Sequence, residues 1–242
     1  MLSKLTITRV AIAALCAGSA TAFADEPTGG FRGGVQTAFY DSYYFRGFSV
    51  FDQAFNLQPS LDLGYAFGDL AVLNFNAWAA VPFEQRDALE AVRDEVDLTL
   101  DATFTPVAGL ALSVGAVVYI LPTDPVFHTE ELYVVAAYSF DFGLTLKVGA
   151  YGDLNEFKGV YTRGAAVYTV AMTDRLSFTG ELFASGTTYA DVDSAFTEIG
   201  AQVGVSADLG SNLSTTFSVL YNYNDSIDKH LYAIGSSARY AF

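Results

Sequence analysis

The chain has 242 residues, of which 52% are apolar, and its 27 Asp and Glu stand against 12 Lys and Arg. So acidic a protein is a poor partner for nucleic acid, whose phosphates are bound by cations that displace condensed counterions. So apolar a protein does not suit acidic disorder either, and the charge must be gathered in particular places.

Residues 1–24 read as a secretory signal peptide: Lys4 and Arg9, an apolar run VAIAALCAGSATAFA, and a small-x-small ending at Ala22, Phe23 and Ala24. Cys16 follows apolar residues as a lipoprotein cysteine would, but Leu15 stands where lipoprotein processing wants a small residue. Cleavage after Ala24 removes the only cysteine, so residues 25–242 form a thiol-free single domain without disulfides. The longest apolar stretch beyond the leader, LALSVGAVVYIL at 110–121, is bounded by Gly109 and Pro122. It falls short of the roughly 20 apolar residues that a helical span needs.

From residue 34 onward the apolar residues recur with period two. Strands are predicted near 34–45, 55–67, 70–83, 95–105, 110–121, 130–140, 144–153, 160–171, 175–186, 196–209, 213–224 and 230–242. In the second, Leu57, Leu61, Leu63, Tyr65 and Phe67 alternate with Asn56, Gln58, Ser60, Asp62 and Gly64. In the fourth, Val96, Leu98, Leu100 and Phe104 alternate with Glu95, Asp97, Thr99, Asp101 and Thr103; in the tenth, Ile199, Val203 and Val205 alternate with Glu198, Gln202 and Ser206. The last runs to Tyr240 and Phe242 on its apolar row, with Arg239 on the other.

The connections alternate in kind. Short turns at 67–69, 105–109, 141–143, 172–174 and 208–212 are interleaved with mostly longer, more polar loops at 83–94, 122–129, 153–159, 187–195 and 224–229. An even-stranded, up-and-down antiparallel barrel across an outer membrane has this asymmetry, its short turns periplasmic. Phe67, Phe104, Phe140, Tyr168, Tyr240 and Phe242 beside the short turns predict one aromatic girdle; Tyr43, Phe55, Phe83, Tyr223 and Tyr232 predict the other. A soluble barrel or sandwich would bury its apolar row instead. The leader, the aromatic terminus and polar rows poor in Lys favour a membrane barrel of about 12 strands in a Gram-negative outer membrane. Tyr240 and Phe242 also resemble the terminal signal by which such barrels are handed to the barrel assembly machinery.

Residues 41–49, DSYYFRGFS, resemble the S-D-Y-x-F-R-G-x-S motif of Gcw_chp, a proteobacterial outer-membrane family of unknown function. The similarity continues through EVDLTLDATF, GLALSVGAVVYILP and EELYVVAAYSF; the motif positions are Tyr43, Phe45, Arg46 and Gly47, and the specific core is Phe45-Arg46-Gly47. The resemblance implies a barrel and no known activity. In that family an Asp stands four residues before the Arg, on the same strand face; here Ser42 holds that place, so a pair between Asp41 and Arg46 would need a bulge.

On the assigned phase the lumen row carries Arg46, Asp62, Glu95, Asp97, Asp101, Glu131, Lys147, Arg163, Glu181, Glu198, Asp208 and Arg239. Acids outnumber bases, which predicts preference for cationic or neutral solutes; the competing reading is that these charges pair and stiffen the wall. Catalysis is disfavoured because the only histidines are His128 and His230, although His230 could stand near Asn222 or Ser226. DVDS at 191–194 and NDSIDKH at 224–230 lack calcium-ligand spacing, so neither metal nor cofactor is expected. The loop EQRDALEAVRDE, 84–95, reads as a solvated rim. The expected function is a narrow passive channel for small polar or cationic solutes, in contact with outer-membrane lipid and lipopolysaccharide. The alternative is a non-conducting barrel that binds a periplasmic or surface partner.

Overall fold

The structure is a computed structural model that describes residues 29–51, 53–83, 94–122, 128–155, 158–188, 196–225 and 228–242. The expected signal peptide, most of the 84–95 loop and the 191–194 segment lie outside the described residues.

Twelve antiparallel strands close into a barrel. They are β1 (Gly30–Tyr40), β4 (Asn56–Phe67), β5 (Ala71–Pro82), β6 (Glu95–Val107), β7 (Leu110–Ile120), β8 (His128–Ser139), β9 (Leu144–Asp153), β10 (Val160–Ala171), β11 (Leu176–Thr187), β12 (Phe196–Gly210), β13 (Leu213–Asn224) and β14 (Lys229–Ala241). Two more, β2 (Tyr43–Phe45) and β3 (Phe48–Phe51), form a separate hairpin. Each wall strand pairs with its neighbours in sequence, and β1 closes the ring against β14, with Thr37 opposite both Ala238 and Pro59. At that seam the Tyr40 ring covers Gly235 so closely that a Cβ there would overlap it. Full closure leaves no wall-strand edge unpaired, the condition for crossing hydrocarbon.

The apolar rows face outward and the polar rows inward. On β8, Leu132 and Val134 are 56% and 57% exposed, whereas Glu131 and Tyr133, which alternate with them, are 1% and 5%. Leu98, Val203 and Ile234 are likewise exposed on the outer face. A water-soluble barrel would have the opposite polarity, so this is the transmembrane arrangement. The girdle beside the short turns is present in Phe67, Phe104, Tyr168, Tyr240 and Phe242, and Phe55, Phe83 and Tyr232 are exposed near the other rim.

One expected element is different. The alternation predicts a first strand over 34–45, but β1 ends at Tyr40 and the chain then leaves the wall. Asp41 makes the last rung: its N–H donates to the Ile234 carbonyl and its carboxylate accepts from the Ile234 N–H. The excursion is tied at its base, where the Ser42 hydroxyl accepts from Gln53 N–H and the Asn56 amide donates to the carbonyls of Tyr40 and Ala54. Between these ties the hairpin folds into the barrel. Tyr43, expected in the outer girdle, is 5% exposed and packs inside against Ala80 and Trp78.

Candidate functional site

The hairpin turn is dictated by its two central residues. Phe45 pairs with Phe48 across Arg46 and Gly47, whose φ angles of 51° and 80° are the left-handed pair of a type I′ turn. Glycine suits the second position; a Cβ on Gly47 would also stand 2.8 Å from the Asn224 amide nitrogen. Arginine at the first is unusual, and a non-glycine residue there costs about 1–3 kcal/mol unless its surroundings hold it.

Those surroundings are the far wall. The Arg46 guanidinium forms a two-pronged pair with Glu131 of β8, one prong being Nη1 to Oε1 at 2.6 Å and the other Nη2 to Oε2. The Tyr119 hydroxyl of β7 donates to Glu131 Oε2 at 3.0 Å, which fixes the carboxylate in turn. The rings of Tyr151 on β9 and Tyr161 on β10 lie 5.4 and 4.4 Å from the guanidinium carbon, and Phe45 lies at 4.7 Å. Such cation–π contacts strengthen where water is excluded.

The rest of the hairpin touches the remaining wall. Tyr44 packs against Phe183, Leu220, Leu231 and Ala233 and donates its hydroxyl to the Tyr232 carbonyl. The Gly47 carbonyl accepts from the Asn224 amide at 2.7 Å. Tyr43 hydrogen-bonds Glu95, which meets Asp97 two residues along the inner row. The hairpin therefore spans the lumen near the rim of longer loops, rooted between β1 and β4 and tipped against β7–β10.

Below it the inner charges pair along the wall. Arg163 meets Glu181 at 2.6 Å and Arg239 meets Asp62 at 2.7 Å. Asp101 accepts from Tyr133 and from the Asn74 amide, and Lys147 lies near Arg163 and Glu181. Glu198, higher on β12, accepts from Tyr161 and Ser185 and from the Asn222 amide. The side chains of Arg46 and Glu131 are each 2% exposed, against 17% for Arg163 and 19% for Arg239. The ion pair at the hairpin is thus drier than the pairs beneath it. Next to the short turns the charges give way to hydroxyl pairs: Thr103 with Ser113, Ser139 with Thr145, Thr169 with Thr179 and Ser206 with Thr216.

Of the sequence-derived lumen residues, Arg46, Asp62, Glu95, Asp97, Asp101, Glu131, Lys147, Arg163, Glu181, Glu198 and Arg239 all face the interior. Arg46 does so from the hairpin, not from a wall strand, and its acidic partner is Glu131, not Asp41. Asp208 is a correction: it sits exposed at the β12–β13 turn, where its carboxylate accepts from Gly210 N–H. His230 is another: it lies on the outer face against the rings of Tyr221 and Tyr223, whereas Asn222 points inward to Glu198. Ser226 lies outside the described residues. Among those residues no group of three or more His, Cys, Asp or Glu is placed to hold a metal ion.

Sequence reasoning alone does not single out Tyr119, Tyr133, Tyr151 and Tyr161. Each occupies the polar row of its strand, and three stand two positions from a charge, as in Glu131-Leu132-Tyr133, Tyr151-Gly152-Asp153 and Tyr161-Thr162-Arg163. A large aromatic on a polar row signals that something inside the barrel covers it.

No protein-family model and no curated protein matches the chain. Solved structures do match in fold. A structure described as KdgM porin aligns over 87% of this chain and 99% of its own at 10% identity, with a TM-score of 0.55. NanC porin aligns over 86% and 98% at 6% identity and 0.57. The COG4313 outer-membrane channel of Pseudomonas putida F1 aligns over 90% and 97% at 11% identity and 0.53. At such identities the likeness is one of fold: this chain is built as outer-membrane porins and channels are.

Proposed function

We propose that this protein is a porin-like passive channel of the Gram-negative outer membrane, narrow, selective for small polar or cationic solutes, and constricted by its own inward hairpin. The observation that carries this reading is the polar, largely charge-paired interior that continues from the hairpin to the short-turn rim inside an apolar exterior. A barrel wall meant only as an anchor has no need of so many inward charges, each of which costs desolvation. The acidic surplus supports cations over anions. One porin of this fold is described in complex with oligogalacturonate, a polyanion; the inner acids here argue against carrying that substrate class over. The likeness in fold to porins and channels supports a non-enzymatic role, and Phe45-Arg46-Gly47 supports grouping the chain with the Gcw_chp barrels. Lipid, lipopolysaccharide and the barrel assembly machinery are its proposed surroundings, the last through Tyr240 and Phe242, and residues 1–24 its proposed export signal.

A second reading is favoured by the near-complete burial of Arg46 and Glu131: a barrel sealed by the hairpin that serves as a platform for a partner. Planar-bilayer recordings of the wild type and of Arg46→Ala separate the two. A channel gives cation-selective steps, larger in the variant. Silence of both proteins at every voltage removes the channel and leaves the platform. Neutralising Asp97 and Asp101 together should shift the reversal potential away from cation preference, and an unchanged potential would take those residues off the path.

A further inference from the structure

The wall that receives Arg46 has the form of a receptor for a planar cation. Glu131 presents both carboxylate oxygens edge-on, the Tyr119 hydroxyl orients that carboxylate, and the rings of Tyr151 and Tyr161 flank the space where the guanidinium lies. A carboxylate fork matches the parallel N–H bonds of a guanidinium, and ring faces favour its weakly hydrated plane. These four side chains come from the successive strands β7, β8, β9 and β10 of the closed barrel, which sets the positions of their backbones. The occupant is less secure. It is carried on strands of three and four residues, too few to be stable alone, and sits in a left-handed conformation at its tip.

We propose that this patch is a guanidinium-recognition site, that Arg46 is its internal occupant, and that solutes bearing a guanidinium group compete for it and unseat the hairpin. If the arginine leaves, Glu131 loses the cation held by its two oxygens while the Tyr119 hydroxyl still orients it, and Glu198 stands close by, bonded to Tyr161. That is the condition under which a cation from solution is drawn in. The geometry selects among cations. Among the described residues no three carboxylates or imidazoles are placed together as a ligand set for a divalent metal, and a quaternary ammonium would meet the rings but could not use the fork. Binding stands apart from conduction; only the effect on passage rests on the channel reading above.

The test uses the full chain refolded in lipid as Arg46→Ala, with folding checked by heat-modifiable gel mobility and Arg46→Gln held in reserve should the alanine variant not fold. Methylguanidinium, on the order of millimolar, should raise the melting temperature of the variant, while urea, its neutral counterpart, and tetramethylammonium should not. It should also return the enlarged conductance of the variant towards that of the wild type. Adding Glu131→Gln should raise the half-saturating concentration by at least about tenfold, the equivalent of one lost charged contact. Equal responses to methylguanidinium and urea would overturn the proposal. A selective melting shift in a protein that never conducts would keep the site and discard the channel.

Discussion

Near the long-loop rim, the inward hairpin is held by partners far away in the chain. Arg46 and Glu131 are 85 residues apart, Gly47 and Asn224 are 177, and Tyr44 and Tyr232 are 188. Near the short-turn rim, Thr103 and Ser113 are separated by 10 residues, Ser139 and Thr145 by 6, and Thr169 and Thr179 by 10. The lower pairs are a consequence of the hairpins themselves, since facing residues on one side of an antiparallel pair are brought together by the turn. The upper contacts exist only once the barrel has closed around the hairpin. The same strands therefore carry a dry upper tier, partly wet ion pairs beneath it, of which Arg239 and Asp62 are also 177 residues apart, and local hydroxyl pairs beside the short turns, and substitutions should reveal the difference.

The largest effect is expected from Glu131→Ala, which removes the carboxylate paired with Arg46 in a site 2% open to solvent. Removing one partner of a buried ion pair costs about 3–5 kcal/mol, read as a drop in the unfolding free energy of the lipid-refolded barrel in denaturant. Next comes Gly47→Ala, which puts a Cβ 2.8 Å from the Asn224 amide and 3.0 Å from Glu198 Oε2 at a φ of 80°; a loss of about 1–3 kcal/mol is expected from the strain. Beneath the hairpin Arg239→Ala breaks the pair with Asp62, but the arginine is already 19% exposed, so water replaces much of what is lost. Its stability change should stay near 1 kcal/mol, while the ion selectivity moves further toward cations in reversal-potential measurements. Thr169→Val, which breaks one hydroxyl pair, should cost no more than about 1 kcal/mol. If the lower-tier changes matched those of the upper tier in the same denaturation assay, the division of the interior would have no energetic meaning.

Much of the wall is legible in the sequence because its signal is local. Period two alone assigns Leu98, Val203 and Ile234 outward and Asp62, Glu181 and Arg239 inward, and the long and short connections alternate as the loop compositions imply. The hairpin is not legible as a departure from the wall. Phe39, Tyr43 and Phe45 keep the phase of the apolar row with only Asp41 interrupting it, so the pattern extends the first strand across a point where the backbone turns inward. The local clues are Asn56, whose amide ties the loop base, and Gly47 following Arg46, a pair suited to a tight turn. Arg46 itself is singled out by its motif, yet its partner depends on a register across half the barrel, which no spacing within 41–49 encodes. Asp208 fails for the converse reason: its phase is that of the inner row, but it stands so close to the turn that its carboxylate caps Gly210 instead of facing a lumen.

The reach of Arg46 to Glu131 is the contact that ties the tip of the inward hairpin to the far wall. A double-mutant cycle of Arg46→Ala and Glu131→Ala, followed by denaturant unfolding in lipid, measures that contact without reference to transport. A coupling of about 2 kcal/mol or more is predicted, because the double variant removes both charges and leaves neither buried alone. Effects that add to within about 0.5 kcal/mol would contradict it, and would mean that the hairpin tip does not rest on the far wall.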